Sequence, residues 1–395
     1  MVKLSLKVCV FALALSILAP GIGFGEPQSI PNDPWIQDSQ AVQIEALTSM
    51  EELQKELFNT YARSKGRMEV EVAGETTLGF PIYLVKFGEA DPAKIRVLIE
   101  AQIHGGEPLG VEACLEIIKK LASSGNPDID EILEELTIWI IPRLNPEGAT
   151  YEVDDQLVQR RQNSQEWAPL EWGLPADAPA PWYCYSSMPP PGCDINRDFN
   201  PDLDFELVNA SMLPGASALP GFFVTPEARA VRDAYKELQP HVFIDLHHRG
   251  TNLMSEEDNS MCTLQILAQA VDLGRDDYPL DPAVLDLSKQ INAYVYQRLN
   301  DMGESPFTNI QRYPDVNLPG TALGSFSLNG SGIMLYEVRT AKQKSSGMLT
   351  KQMIIGLMET LKGLADGSIF DIDPADYDEI LPAGPQIANP HLFFE

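Results

Sequence analysis

The 395-residue chain is predicted to fold as one α/β domain, a mixed and mostly parallel twisted sheet flanked by helices on both faces. From about residue 42 to residue 365, helical segments alternate with short apolar segments, as in sheets covered by helices. Several apolar segments are nearly continuous, which is typical of strands buried on both faces. The length allows one large core or two modest ones, and no repeat or compositional break marks a second domain.

Each predicted element has a local signal. Ser49 and Thr225 are typical helix caps, Pro226 suits a first helical turn, and two later helices end at glycine. The predicted helices are 49–66, 107–125, 225–239, 281–303 and 347–367. The predicted strands are 68–74, 81–88, 96–102, 136–144, 241–247 and 332–339.

The two ends of the chain and one internal segment lack this alternation. Residues 1–25 resemble a secretory signal, because Lys3 and Lys7 precede the short apolar run 8–19. That predicts a secreted or periplasmic protein without a stable membrane span after signal removal, an uncleaved anchor being the weaker alternative. The Pro-rich segment 167–219 indicates long loops, and residues 366–395 an acidic, Pro-containing extended tail.

Cysteines and charge narrow the class of protein. Outside the predicted signal, four cysteines remain at 114, 184, 193 and 262, and Cys184 and Cys193 bracket a short loop that a disulfide can close. The other two are either bridged or buried thiols. The net charge of −29 repels phosphate backbones, so a nucleic-acid partner is not expected.

Histidine is rare, and two of the five histidines end predicted strands. Ligand sites in open α/β sheets form outside the carboxyl ends of strands, where His104 and His247 lie. With Glu107, they make a two-His-one-Glu set that suits zinc, and Gly105 and Gly106 allow a tight turn between the first two ligands. The alternative is a polar loop in which His104 and Glu107 only share a hydrogen bond.

Two further stretches carry candidate site residues. Asn196 and Arg197 offer donors for a carboxylate, although a surface turn is an equal alternative for this stretch alone. Glu337 near the end of an apolar strand is a candidate general base, and an ion pair with Arg339 on the same face is the alternative.

The order of these motifs resembles the zinc metallocarboxypeptidase family, the carboxypeptidase A-like peptidases, over roughly residues 45–365. The resemblance is carried by His104-x-x-Glu107, "NPEG" at 145–148, basic residues at 160 and 161, Asn196-Arg197, His247 and Glu337.

The resemblance implies a role for each matching residue. His104, Glu107 and His247 would bind one Zn²⁺ per chain, Glu337 would be general base and acid, and Asn196-Arg197 would hold the substrate's C-terminal carboxylate. Arg160 ranks above Arg161 as the residue that polarises the scissile carbonyl, because it lies twelve residues past Gly148. Asp194 would orient a histidine ligand, and His247 ranks above His248, which would line the cleft or contact a ligand.

The chain departs from the family in the pocket for the substrate side chain. Ala322 matches the position that often sets preference, which argues against basic C-terminal residues, and Tyr313 is the candidate for the mobile cleft tyrosine. His241 and His391 are expected at the surface.

The function implied is a secreted zinc carboxypeptidase acting on peptide or protein C-termini. A zinc amidohydrolase for acyl-amino acids or cell-wall peptides is the nearest alternative, and a non-catalytic binding protein is the more distant one.

Overall fold

The computed structural model describes residues 47–185, 191–258, 260–302, 307–339 and 346–386. Residues 1–25, predicted as a signal, and His391 lie outside these ranges. Among the described residues, no helix combines the length and apolarity needed to cross a membrane.

An eight-stranded mixed sheet organises the domain. Its strands are β1 (Glu69–Glu75), β2 (Pro81–Phe87), β3 (Ile95–Ala101), β4 (Leu136–Ile141), β9 (Val242–Arg249), β10 (Leu264–Leu267), β11 (Ile310–Arg312) and β12 (Gly332–Arg339). They lie in the order β1-β2-β4-β3-β9-β12-β10-β11. Strands β3, β4, β9 and β12 run parallel at the centre, and β1, β2 and β10 pair with antiparallel neighbours. Two hairpins outside it are β5 (Glu152–Val153) with β6 (Gln156–Leu157), and β7 (Cys184–Tyr185) with β8 (Gly192–Cys193).

Helices cover both faces, as predicted. They are α1 (Met50–Arg63), α2 (Leu109–Ser123), α3 (Pro127–Glu135), α4 (Pro146–Ala149), α5 (Pro226–Leu238), α6 (Pro282–Asn300), α7 (Ala322–Leu328) and α8 (Ser346–Ala365). Strand alternation sends Ile244 and Leu246 of β9 to the core under α2, α6 and α8, and Phe243 to the core under α5 and α7. The sheet is therefore buried on both sides, which explains its continuous apolar strands.

Every predicted strand and helix is present within a few residues of its expected bounds, whereas α3, α4, α7, the hairpin strands β5 to β8, β10 and β11 were not predicted. The missed strands are short, and β10 begins with Leu264 opposite Val338 only because the tertiary pairing places it there. Short segments carry too little periodicity to be recognised.

The expected extended tail is wrong for residues 366–386. Two 3₁₀ turns, Ser368–Asp371 and Pro374–Glu379, lie against the body, and Ile369, Tyr377 and Ile380 are buried. Single apolar residues among aspartates fill separate sites on the core, so the packing leaves no helical periodicity in the sequence.

The loops between α4 and α5 have a small core of their own. The predicted Cys184–Cys193 disulfide is present, and Cys114 and Cys262 are free and buried. Around the disulfide, Tyr183, Leu207 and Phe222 pack together with half-buried tryptophans. The described parts of the predicted loop segment, 167–185 and 191–219, therefore pack as an insertion beside the sheet.

Candidate functional site

The turn after β3 brings His104 and Glu107 to the carboxyl end of the sheet. Gln102 adopts a left-handed backbone (φ 56°) and donates its Nε2 to the carbonyl of Gly105 at 2.7 Å. A Cβ on Gly105 would lie 2.1 Å from the carbonyl carbon of Gly148, so only glycine fits this contact, whereas Gly106 has open space. The first glycine is thus required by packing against the 145–148 turn.

That turn also fixes the segment containing the two adjacent arginines. Asn145 Nδ2 donates to the carbonyls of Ile103, at 3.2 Å, and Arg161, at 3.1 Å. The "NPEG" motif therefore connects the His104 loop to the arginine loop, and both loops depend on one buried amide.

His104, Glu107 and His247 come together as a candidate metal group, with one ligand atom from each lying within 4.8 Å of the others. The two Nδ1 atoms face the same carboxylate: His104 lies 2.8 Å from Oε1 and His247 lies 2.9 Å from Oε2 of Glu107. The polar-loop alternative explains the first contact but not the second, because His247 comes from another strand. Two imidazole nitrogens and one carboxylate form a donor set that fits zinc.

Buried carboxylates orient both histidines from behind. Asp245 Oδ2 lies 2.7 Å from Nε2 of His247, and Asp194 Oδ1 lies 3.5 Å from Nε2 of His104. Such contacts leave Nδ1 of each ring directed at the metal position. Burial raises the pKa of Asp194, but Arg161 and His104 outweigh it and hold that pKa well below its ordinary value.

Glu337 lies beside this group, because it pairs in register with His247 across β12 and β9. Its Oε2 is buried and has no hydrogen-bond partner in the part of the chain that the structure describes. Burial raises the pKa of this carboxyl to about 7, while the nearby His247 opposes the increase. Arg339 directs Nη1 to Met261 Sδ at 3.1 Å, and no ion pair between Arg339 and Glu337 is present among the described contacts.

These groups open into a cleft of about 270 Å³. Its cations are Arg161, Arg197 and Arg249. Part of its wall is apolar, formed by Leu267, Ala270, Val316, Leu318, Leu323 and Leu335. The cleft can therefore accept a molecule that carries both a carboxylate and an apolar group.

Asn196 and Arg197 lie in the cleft, at a 3₁₀ turn that Asp194 caps. The Asn196 side chain is buried, accepts from the backbone N–H of Ala322 at 3.1 Å and lies 3.3 Å from His247 Nε2. Arg197 Nη1 donates a hydrogen bond to the carbonyl of Asn196, and the residue lines the cleft. The surface-turn alternative does not fit this buried position.

Arg161, and not the first-ranked Arg160, lines the cleft. Arg160 donates to the carbonyl of Asn163 and to Ser164 Oγ and stacks on the Tyr151 ring, 4.6 Å from its centroid, outside the cleft. Arg161 lines the cleft, donates Nε to Asp194 Oδ2 at 2.8 Å and places Nη1 3.4 Å from His104 Nδ1. The two side chains leave an irregular, bent loop in different directions, and a count from Gly148 does not show which one faces inward.

The predicted side-chain pocket is also shifted. Ala322 is fully buried in the core and does not line the cleft, whereas its neighbours Thr321 and Leu323 do. Ala322 begins α7, so its side chain faces the sheet and only its backbone N–H contacts a site residue. Tyr313 does line the cleft.

The remaining histidines lie near their expected places. His248 lines the cleft, and its Nε2 accepts from the N–H of Leu109 at 3.1 Å. His241 is exposed at the start of β9.

Two residues of the site were missed from the sequence, Asp245 and Arg249. Both lie two residues from His247 on β9, so strand alternation places them on its face and is the signal that could have found them.

The comparisons with known proteins agree with this geometry. The family model described as zinc carboxypeptidase matches residues 54–353. A curated zinc carboxypeptidase of Saccharothrix mutabilis subsp. capreolus is 29% identical over 27% of this chain and 25% of its own length. Carboxypeptidase E of Caenorhabditis elegans is 27% identical over 50% of this chain and 37% of its own length. The chain thus spans well under two thirds of either relative.

Solved structures show the same fold. Carboxypeptidase A from Helicoverpa armigera superposes with a TM-score of 0.55 at 18% identity, covering 81% of this chain and 75% of that one. Thrombin-activatable fibrinolysis inhibitor gives 0.58 at 15% identity, covering 83% and 76%. Because the family model matches well over half of its residues, the chain belongs to the zinc carboxypeptidase family.

Proposed function

We propose that the protein is an exported, zinc-dependent carboxypeptidase that removes C-terminal residues from peptides. The observation that carries this proposal is a single row of side chains at the carboxyl end of the sheet. His104, Glu107 and His247 converge there, and Glu337, in register with His247, has a buried oxygen without a hydrogen-bond partner among the described residues. A carboxylate that lines the cleft beside these ligands and keeps one oxygen without a described partner suits proton transfer.

Each group of site residues has a separate role in the proposed reaction. His104, Glu107 and His247 would hold the ion, which when bound supplies a Lewis acid that acidifies water and polarises a carbonyl. Glu337 takes the proton of the attacking water and passes it to the leaving amine. Arg161 has a cleft-facing guanidinium close to His104 and donates to the carbonyl oxygen as negative charge develops.

Substrate selection follows from the rest of the cleft. Arg197 binds the free C-terminal carboxylate, and the apolar wall around Leu318 and Leu323 takes the last side chain. The described lining has no acidic residue besides Glu107 and Glu337, so a basic last residue gains no counter-charge of its own. We therefore expect a preference for apolar C-terminal residues, and the predicted signal supports action outside the cytoplasm.

The test is a peptide assay on protein lacking residues 1–25. We expect about one zinc per chain by elemental analysis, as for one catalytic site, and release of the last residue from free-acid peptides. Glu337→Gln should retain zinc and lose at least about 1,000-fold in kcat, because the general base is removed. Glu116→Gln, at an exposed position on α2, is the matched control and should behave like the parent protein.

Two other outcomes would contradict the proposed function. Equal cleavage of C-terminally amidated and free-acid peptides would contradict the carboxylate role of Arg197 and favour the amidohydrolase alternative. Failure to bind zinc would favour the non-catalytic binding protein.

A further inference from the structure

Arg249 is the one cleft arginine to which the proposed function assigns no role. It follows His247 on β9 by two residues, and its guanidinium lies over the Tyr313 ring, 4.6 Å from the centroid. One nitrogen, Nη1, donates to Gln265 Oε1. Its Nε and Nη2 make no hydrogen bond to any described residue, and Arg249 lines the cleft.

Arg249 and Arg161 both line the cleft but differ in their partners. The chain has 57 acidic and 28 basic residues, yet within the described ranges Arg249 forms no ion pair. Arg161, in contrast, is paired with Asp194. A half-buried guanidinium whose only hydrogen-bond partner is neutral keeps capacity for a carboxylate from a bound molecule.

Strand register gives the position of Arg249 relative to the reaction centre. Across β9 and β12, Asp245 pairs with Leu335, His247 with Glu337, and Arg249 with Arg339. These pairs form successive rows on one face of the sheet, since alternate residues of a strand share a face. The apolar residues Leu335 and Leu267 lie on one side of the His247–Glu337 row, and Arg249 lies on the other.

The two sides of that row meet different parts of a peptide. If the last side chain enters the apolar wall beside Leu335, the scissile bond lies over the His247–Glu337 row. The chain preceding that bond then passes Arg249. Hence Arg249 meets the residue before the scissile bond, while Arg197 meets the terminal carboxylate.

We propose that Arg249 binds the carboxylate of a glutamate or aspartate at the penultimate position of the substrate. This inference rests on the proposed function and adds a second carboxylate site to it. A charged hydrogen bond at a half-exposed position gives a preference of about tenfold over the neutral amide. The net charge of −29 repels the acidic peptide more than its amide, so such a preference must come from a local cation.

The experiment compares two peptides that end in the same leucine, acetyl-Ala-Glu-Leu and acetyl-Ala-Gln-Leu. The parent protein should give a kcat/KM ratio of about ten in favour of glutamate. Arg249→Gln should bring this ratio to one or below, and Arg249→Lys should keep part of it. Arg298→Gln on α6, where Arg298 pairs with Glu359, is the matched control and should keep the full ratio. Circular dichroism and zinc content confirm that each variant is folded and loaded.

Two results would overturn the proposal without touching the proposed function. One is equal kcat/KM for both peptides in the parent protein. The other is an Arg249→Gln variant that slows both peptides by the same factor, which would mean that Arg249 acts through Glu337. If neither peptide is cleaved, the proposed function itself fails.

Discussion

Arg160 and Arg161 are adjacent, but their guanidinium groups meet different surroundings. Arg160 contacts backbone carbonyls and the Tyr151 ring, and burial lowers its pKa. Burial alone would also lower the pKa of Arg161, but Asp194 and Glu107 outweigh it and raise that pKa. The two carboxylates thus favour the charged form of Arg161 in the cleft.

Replacing Arg160 and Arg161 one at a time should affect catalysis to different extents. Arg161→Gln should reduce kcat by about 100- to 1,000-fold, because it removes the donor to the developing oxyanion. Arg160→Gln should cost less than tenfold in kcat, since Arg160 does not line the cleft and its described contacts are with loop carbonyls, Ser164 and Tyr151. Zinc content must be measured for both, because Arg161 also contacts Asp194, which supports His104. The reverse order of effects would restore the ranking made from the count after Gly148.

The insertion between α4 and α5 depends on one buried carboxylate. Asp198 accepts from Tyr183 Oη at 2.5 Å, from Val224 N at 2.9 Å, and from Thr225 N at 2.6 Å and Oγ1 at 2.7 Å. Asp198 follows Arg197 directly, so the same contacts hold the cleft turn in place. Loop segments without a sheet ladder need such an acceptor to satisfy their backbone donors.

Asp198→Asn should therefore destabilise the protein by about 2 to 4 kcal/mol, because the new amide donors would face donors already in place. Urea unfolding measures the change. Asp202→Asn, at an exposed position in the same insertion, should change the unfolding free energy by less than about 0.5 kcal/mol. An Asp198→Asn variant as stable as the parent would show that this insertion is held by its apolar contacts alone.

At the scale of the whole molecule, one buried acid links the insertion to the sheet domain. Glu227 in the first turn of α5 is fully buried and accepts from Asn163 Nδ2 at 3.0 Å. Burial, followed by the Glu147 carboxylate, raises its pKa to about 8. An unfolded glutamate ionises near 4.3, so the folded state holds an extra proton between these two values.

The extra proton on Glu227 in the folded state sets the direction in which stability changes with pH. The unfolding free energy falls as pH rises from about 4.3 to about 8, with a slope from this group approaching about 1.4 kcal/mol per pH unit. Glu227→Gln is neutral at every pH and should remove that slope, so the variant gains stability relative to the parent at pH 8. Thermal or urea unfolding at pH 5, 6.5 and 8 measures it, with exposed Glu51→Gln as control. If the unfolding free energies of the parent and of Glu227→Gln change with pH in parallel, the raised pKa of Glu227 is contradicted.

The sequence by itself determined the fold class and the elements with strong periodicity. Long amphipathic helices such as α6 and α8, and continuous apolar strands such as β9, carry their own signal because their burial repeats along the chain. It also predicted that His104, Glu107, His247 and Glu337 lie close together, since the ends of parallel strands meet at one edge of a sheet.

Only the tertiary structure decided which face each neighbouring side chain occupies. It placed Arg161 rather than Arg160, and Thr321 and Leu323 rather than Ala322, along the cleft, and it placed Arg249 there as well. It also packed Tyr377 against the core, although the surrounding sequence is Asp-rich. The physical reason is the same in each case. A loop side chain points where packing and hydrogen bonds between distant segments direct it, and no local repeat records that direction.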